Sequence, residues 1–306
     1  MGNKYLKAIV TLLAVFCIGF GIILVGNVIT IGQKIGEATH AYVEYGFYAL
    51  LGVMAVAFIV VPIWKVICMP SLPDMDVNEG DPLRKTRKLA KRLVGTTENA
   101  ELKNQIVAAG DDAACLRGLV KSELDVRFGK AREEIIKAAS YSFASTSVSQ
   151  NSTIDTISVL MINCRLVYKV IRASGFRPNI GQLVRIYTNV LSSAFLAHIT
   201  QSVAEEGGTA LVNTFIKGLR NIPLADLVVG SVIDGTINAL MTLRVGNLTL
   251  SYLKKGAKGH LDDKDMKEAN MTAIKSLPRV VGTKFKAVGD FITKFVRSKE
   301  TPAETV

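Results

Sequence analysis

Charges are scarce on the apolar stretches of this chain, so those that occur there are the first candidates for chemistry. Asp155, Arg165 and Arg177 lie in or beside one such stretch, and Asp234, Asn238 and Arg244 in another. A charge taken out of water is costly unless it is paired and hydrogen-bonded. Asp155 with Arg165, or Asp234 with Arg244, could meet that cost as ion pairs across helices that fix one packing register. The same residues could instead line a polar groove that accepts a partner helix or a lipid headgroup. Other chemistry has little to stand on. His40, His198 and His260 are scattered, with no cysteine or carboxylate at metal-ligand spacing. Cys17, Cys68, Cys115 and Cys164 show no CxxC and read as reduced, packed thiols. The serines between Ser140 and Ser152 sit in no GxSxG elbow, and no GxxxxGKS/T cradles a phosphate. No catalytic residue, cofactor or metal is expected, and the chain does not read as an enzyme.

The elements that must position these residues begin with two uncharged runs, 26 residues between Lys7 and Lys34 and 20 between Glu44 and Lys65. At about 1.5 Å per residue, either run is long enough as a helix to cross a hydrocarbon core of about 30 Å. Backbone N–H and C=O groups in hydrocarbon must be paired within the segment, so the pair reads as a transmembrane hairpin. Gly19 and Gly21, inside the first run, read as glycines at a helix interface. Tyr42, Tyr45, Tyr48 and Trp64 are placed as interfacial anchors near the ends of the second. Lys4 and Lys7 precede the first span, Lys34 stands alone in the link, and Lys65 follows the second. Basic residues mark the cytoplasmic side, so both termini are expected there.

A formal charge of +11 raises the question of nucleic acid. Yet Arg84, Lys85, Arg87, Lys88, Lys91 and Arg92 follow a span directly, where anionic headgroups and topology account for them. Basic residues interleaved with stacking aromatics are missing. The lipid bilayer is therefore the expected partner, and nucleic acid is not. Hydrophobic residues make up 49% of the chain and aromatics only 7%, which suits aliphatic helix packing. No run alternates in the manner of a strand, so the fold class is all-α.

Four parts follow in order: a transmembrane hairpin over 1–70, a basic juxtamembrane segment over 71–110, a helical cytoplasmic domain over 111–256, and a charged linker with a tail helix over 257–306. Pro70 and Pro73 end the second span. Helices are expected from about Pro82 to Val94, from a cap at Thr97-Glu98 to near Gly110, and from Asp112 through Ile136. Tyr141–Thr153, rich in serine and threonine, reads as irregular. Thr153 and Asp155 then open an apolar helix that Gly175 and Pro178 close. Gly181–Ala204 and Leu211–Leu253, broken at Gly207-Gly208 and Pro223, carry too many polar residues for ordinary spans. A re-entrant or interfacial hairpin stays open for them. Gly256–Lys267 reads as exposed, and Leu277–Val296 as a basic amphipathic helix that lies on an anionic surface or covers the domain's own core.

One set of residues carries a resemblance. Ser145-Thr-Ser-Val-Ser149, Ile154-Asp155, Val159-Leu160, Asn163, Arg165-Leu-Val-Tyr168 and Gly175-Phe-Arg-Pro178 resemble the YcjF-like family of bacterial inner-membrane proteins. The likeness resumes at Ile222-Pro223, Gly235, Ala239, Thr242, Arg244-Val-Gly246 and Tyr252, and spans roughly Ala131–Lys255 behind the twin spans. The basic tail and Ile171-Arg-Ala-Ser174 depart from the family pattern. The resemblance implies a membrane-tethered helical domain of undefined role that also occurs behind small-GTPase domains, with P-loop partners of the YcjX type. The expectation is a scaffold or recruiter for a P-loop GTPase or ATPase. The alternative, from another class, is a homo-oligomer that remodels or perforates the membrane by inserting Gly181–Leu253.

Overall fold

The two uncharged runs form two long helices. In the computed structural model, which describes residues 3–71, 83–97, 99–110, 112–147, 152–199, 225–256 and 261–300, α1 spans Asn3–Ala38 and α2 spans Ala41–Ile67. α2 is long and apolar enough to cross a membrane. It contains one π-turn, Val56–Val60, just before Pro62. Proline lacks an N–H and crowds the carbonyl four residues earlier, and the wider turn relieves that conflict. Val25 on α1 and Leu50, Val53 and Val60 on α2 are exposed, as are Tyr42, Tyr45 and Trp64 near the ends of α2. That is the pattern expected of a lipid-facing surface with interfacial anchors.

The hairpin closes at Thr39-His40, and Tyr48 ties it. The Tyr48 hydroxyl lies 3.0 Å from the Ile29 carbonyl and 2.9 Å from the Glu44 carboxylate. Its ring lies over Gly32, and Glu44 stands over Gly36, positions where a Cβ would collide. Gly19 and Gly21 instead meet no neighbour within 4 Å. Their assignment to a helix interface is corrected: the close approach is made near the turn, where Tyr48 and Glu44 reach across.

Beyond the hairpin come α3 Leu83–Thr96, α4 Ala100–Ala108, α5 Ala113–Thr146, α6 Ser152–Ser174, α7 Ile180–Ile199, α8 Ala225–Lys255 and α9 Asp263–Glu300. Gly207-Gly208 and Pro223, the expected breaks, lie outside the described residues. The protein is all-α, with β pairing among the described residues limited to one bridge between Ser71 and Arg177. α5, α6 and α8 pack together around buried Phe143, Leu166, Ile171, Leu243 and Leu253. α9 lies against α5 and α8 and buries Ala273, Leu277, Val280 and Val281, so the packed core runs on past residue 256.

Local departures have physical reasons. The Ser/Thr-rich run is helical through Thr146, and several hydroxyls there bond back into their own helix, while those of buried Ser142 and Ser147 have no partner among the described residues. Ser140 donates to Ile136 O at 3.0 Å and Thr146 to Ser142 O at 2.9 Å. A hydroxyl satisfied in this way does not compete for the helical backbone. Ser142, Thr146 and Ser147 are fully buried there, small enough for α8 to approach at Gly235. The α4 cap is Asn99, whose side chain accepts from the backbone N–H of Glu101 and Leu102, rather than Thr97-Glu98. α9 starts earlier than Leu277 because Asp262 and Asp265 cap each other's backbone N–H at 2.9 and 2.8 Å.

Candidate functional site

The residues with the most suggestive chemistry gather where α2 leaves the hairpin and meets α6. Gly175 ends α6 with a φ of 81°, a conformation that favours glycine, and turns Phe176-Arg177-Pro178 back along the chain leaving α2. The Arg177 backbone N–H donates to Pro70 O at 2.9 Å, and its Nε donates to Met69 O at 2.8 Å. From α3, Arg92 Nη1 donates to Ser71 O at 3.1 Å. These carbonyls lie just past the last residue and cap of α2, and cationic donors satisfy them well. The result is a clamp: the chain leaving α2 is bonded to the turn after α6 by the backbone and side chain of Arg177, and to α3 by Arg92.

A buried arginine supports the clamp from behind. Arg127, 6% exposed, donates Nε to Glu123 at 2.7 Å, and Nη1 to Thr96 Oγ1 and to Ser174 O, both at 3.0 Å. It thereby joins α3, α5 and the last turn of α6. Ser174, part of the departure from the family pattern, is also fixed, since its hydroxyl lies 2.7 Å from Ile171 O and 3.0 Å from Phe176 O. Sequence reasoning did not single out Arg127. The signal was Glu123 one turn earlier, with Leu124, Phe128 and Ala131 bracketing it on a core-facing stripe.

Above the clamp, α2 lies beside α6. Lys65 stands over the Tyr168 ring at 5.9 Å, and the Arg165 guanidinium over the Phe58 ring at 5.3 Å. Between α2, α5 and α6 opens a cavity of about 450 Å³, walled by Met54, Phe58, Met161 and Leu166, with Arg165 and Lys169 at its edge. Lys169 is taken by Glu134 on α5 at 2.6 Å. Desolvation works to raise the Glu134 pKa, but the bond and charge of Lys169 outweigh it and hold the carboxyl below its ordinary value.

Asp155, Asp234 and Arg244 do not line this cavity, and the ion pairs expected of them do not form. Asp155 and Arg165 lie ten residues apart on α6, and Asp234 and Arg244 ten apart on α8. That is about 15 Å along one axis, so neither expected ion pair forms within the chain. Asp234 sits at the surface, where loss of surrounding water holds its carboxyl above the usual value. Arg244 is half-buried. On α3, Thr86, Leu89, Ala90 and Leu93 face the core while Arg84, Lys85, Lys88 and Lys91 are exposed, with Arg87 and Arg92 half-buried. Cys164 is buried, which pushes its thiol up to about 12.

Comparison with known proteins agrees with these motifs. A UPF0283 membrane protein of Rhizobium meliloti is 25% identical over 221 residues, 67% of this chain and 59% of that protein. One of Mesorhizobium japonicum is 26% identical over 147 residues, 48% of this chain and 37% of that protein. The chain thus spans less than two thirds of the length of either relative. No solved structure matches. Residues 112–279 match the model of a domain of unknown function, DUF697, from the Asp112 cap of α5 into α9. That is more than half of the chain, and this protein, YcjF-like in its motifs, belongs to the DUF697 family.

Proposed function

We propose that this protein is a non-enzymatic platform of the bacterial inner membrane, with both termini cytoplasmic, that presents its helical domain to a P-loop GTPase or ATPase. The observation that carries this reading is the clamp between Met69–Ser71 and Arg177, with Arg92 beside it. A domain bonded to its membrane exit in this way is displayed in one orientation, as a docking platform requires, instead of trailing on a flexible tether. The exposed cations of α3 stand close to the same exit, where anionic headgroups would attract them. The P-loop class of partner rests on the YcjF-like resemblance.

Two measurements test it. A reporter fused at Thr39 should read as outside the cytoplasm, and a cytoplasmic reading would refute the topology. Crosslinking in intact membranes, with affinity purification and mass spectrometry, should return a P-loop protein from the wild type and less of it from an Arg177→Ala, Arg92→Ala variant whose clamp is cut. If a ladder of the chain's own multimers returns instead, the platform reading gives way to self-assembly.

A further inference from the structure

The groove between α2 and the α5–α6 pair has a polarity that runs along the span. α6 lies beside α2 in the same direction, since Phe58 meets Arg165, Lys65 meets Tyr168 and Ser71 meets Arg177. Met54, Phe58 and Met161 therefore wall the deeper end, with Ser158, Tyr141 and Ser145 beside them, and Arg165 with Lys169 stands toward the exit. α2 has 27 residues and is about 40 Å long, some 10 Å more than a hydrocarbon core. Its last two turns reach the headgroup layer, and an arginine one turn short of them reaches that layer by extending its side chain. Lys169 is neutralised by Glu134 at 2.6 Å. Arg165 is exposed, and its contact among the described residues is the face of Phe58, which leaves its fork of N–H donors free of any carboxylate.

We propose that this groove holds a single anionic phospholipid, with an acyl chain against Met54, Phe58 and Met161 and the phosphate on Arg165. The inference rests on the reading of α2 as a membrane span. Its support is the match of charge and depth. A guanidinium accepts a phosphate through two parallel hydrogen bonds, a volume of about 450 Å³ is of ligand size, and the apolar wall continues the direction of the lipid tails. Met54 and Tyr141, on opposite sides of the groove, are exposed, so its mouth is open for a lipid to enter from the side.

The test uses the full chain. Alkaline carbonate extraction of native membranes comes first, and the chain should stay in the pellet. Release to the supernatant would overturn the span and the lipid site together. The protein in detergent is then titrated with phosphatidylglycerol or phosphatidylcholine and followed by native mass spectrometry. One phosphatidylglycerol should be retained per chain in preference to phosphatidylcholine. Arg165→Gln should weaken phosphatidylglycerol about tenfold and remove that preference. Ser158→Phe, which fills the groove and keeps the cation, should weaken both lipids, and Arg84→Gln on the exposed face of α3 should change neither. Equal retention of the two lipids by the wild type, or unchanged phosphatidylglycerol binding by Arg165→Gln, overturns the site while membrane insertion stands.

Discussion

Gly246 is a second place, after Gly235, where α8 presses on α5, and Gly246→Ala measures how tightly the two are set. A Cβ built there lies 2.7 and 2.8 Å from Cγ1 and Cγ2 of Ile135, and 3.2 Å from its Cβ. Carbon atoms pack best at about 3.5–4.0 Å, so something must retreat by almost an ångström. Ile135 is 2% exposed, and a β-branched side chain in a helix has one strongly preferred rotamer, so the helices have to move apart. Overpacking of this kind costs about 1–3 kcal/mol, set against about 1 kcal/mol gained by replacing glycine with alanine in a helix. Gly129→Ala on α5 isolates that gain, because a Cβ there meets nothing within 4 Å. Thermal unfolding of the full chain in detergent, followed by far-ultraviolet circular dichroism, should place Gly246→Ala below Gly129→Ala by about 2–12 °C. Adding Ile135→Ala should recover part of the difference as a coupling between the two sites. If Gly246→Ala melts at or above Gly129→Ala, the close approach of α5 and α8 is wrong.

Three further outcomes are expected. Arg127→Ala removes the donor of the Ser174 carbonyl and the charge partner of half-buried Glu123 and should cost about 3 kcal/mol in denaturant unfolding, with Arg127→Lys losing less. Because Lys169 holds the Glu134 pKa down, that pair contributes stability above the ordinary value of 4.5 and loses it as pH falls below; the Tm gap between wild type and Lys169→Met should narrow over that interval. With its thiol raised to about 12, Cys164 should resist a maleimide at neutral pH until the protein is unfolded, while exposed Cys115 is labelled at once.

What could be read from the sequence was what depends on local pattern. Charge gaps set out α2, apolar spacing set out α5 and α6, and Gly175-Phe-Arg-Pro178 marked a real stop. Misreadings came where partners are distant or hidden. Arg177 stood out as a charge beside an apolar helix, but its acceptor, Met69 O, lies 108 residues away, and no spacing rule reaches that far. Asp155 with Arg165 failed for the opposite reason: both fell on one unbroken helix, which holds them apart. The run Tyr141–Thr153 reads as irregular by composition, yet through Thr146 it is helix, with Ser145 and Thr146 both bonded back to Ser142 O. Arg127 sits among Lys130, Arg132, Glu133 and Glu134 and reads as one more surface charge until Glu123 is noticed beneath it.

The clamp at the exit of α2 makes hairpin and domain a lever. A membrane-spanning helix tilts more as the hydrocarbon layer around it thins. With Arg177 and Arg92 bonded across the joint, that angle is not absorbed by a hinge but is passed to α5, whose 34 residues extend about 50 Å. A tilt of about 20° moves a point at that distance by about 17 Å. If α2 spans the membrane as proposed, bilayer thickness sets where the domain's far end stands above it, and a partner docked there would be raised or lowered with it.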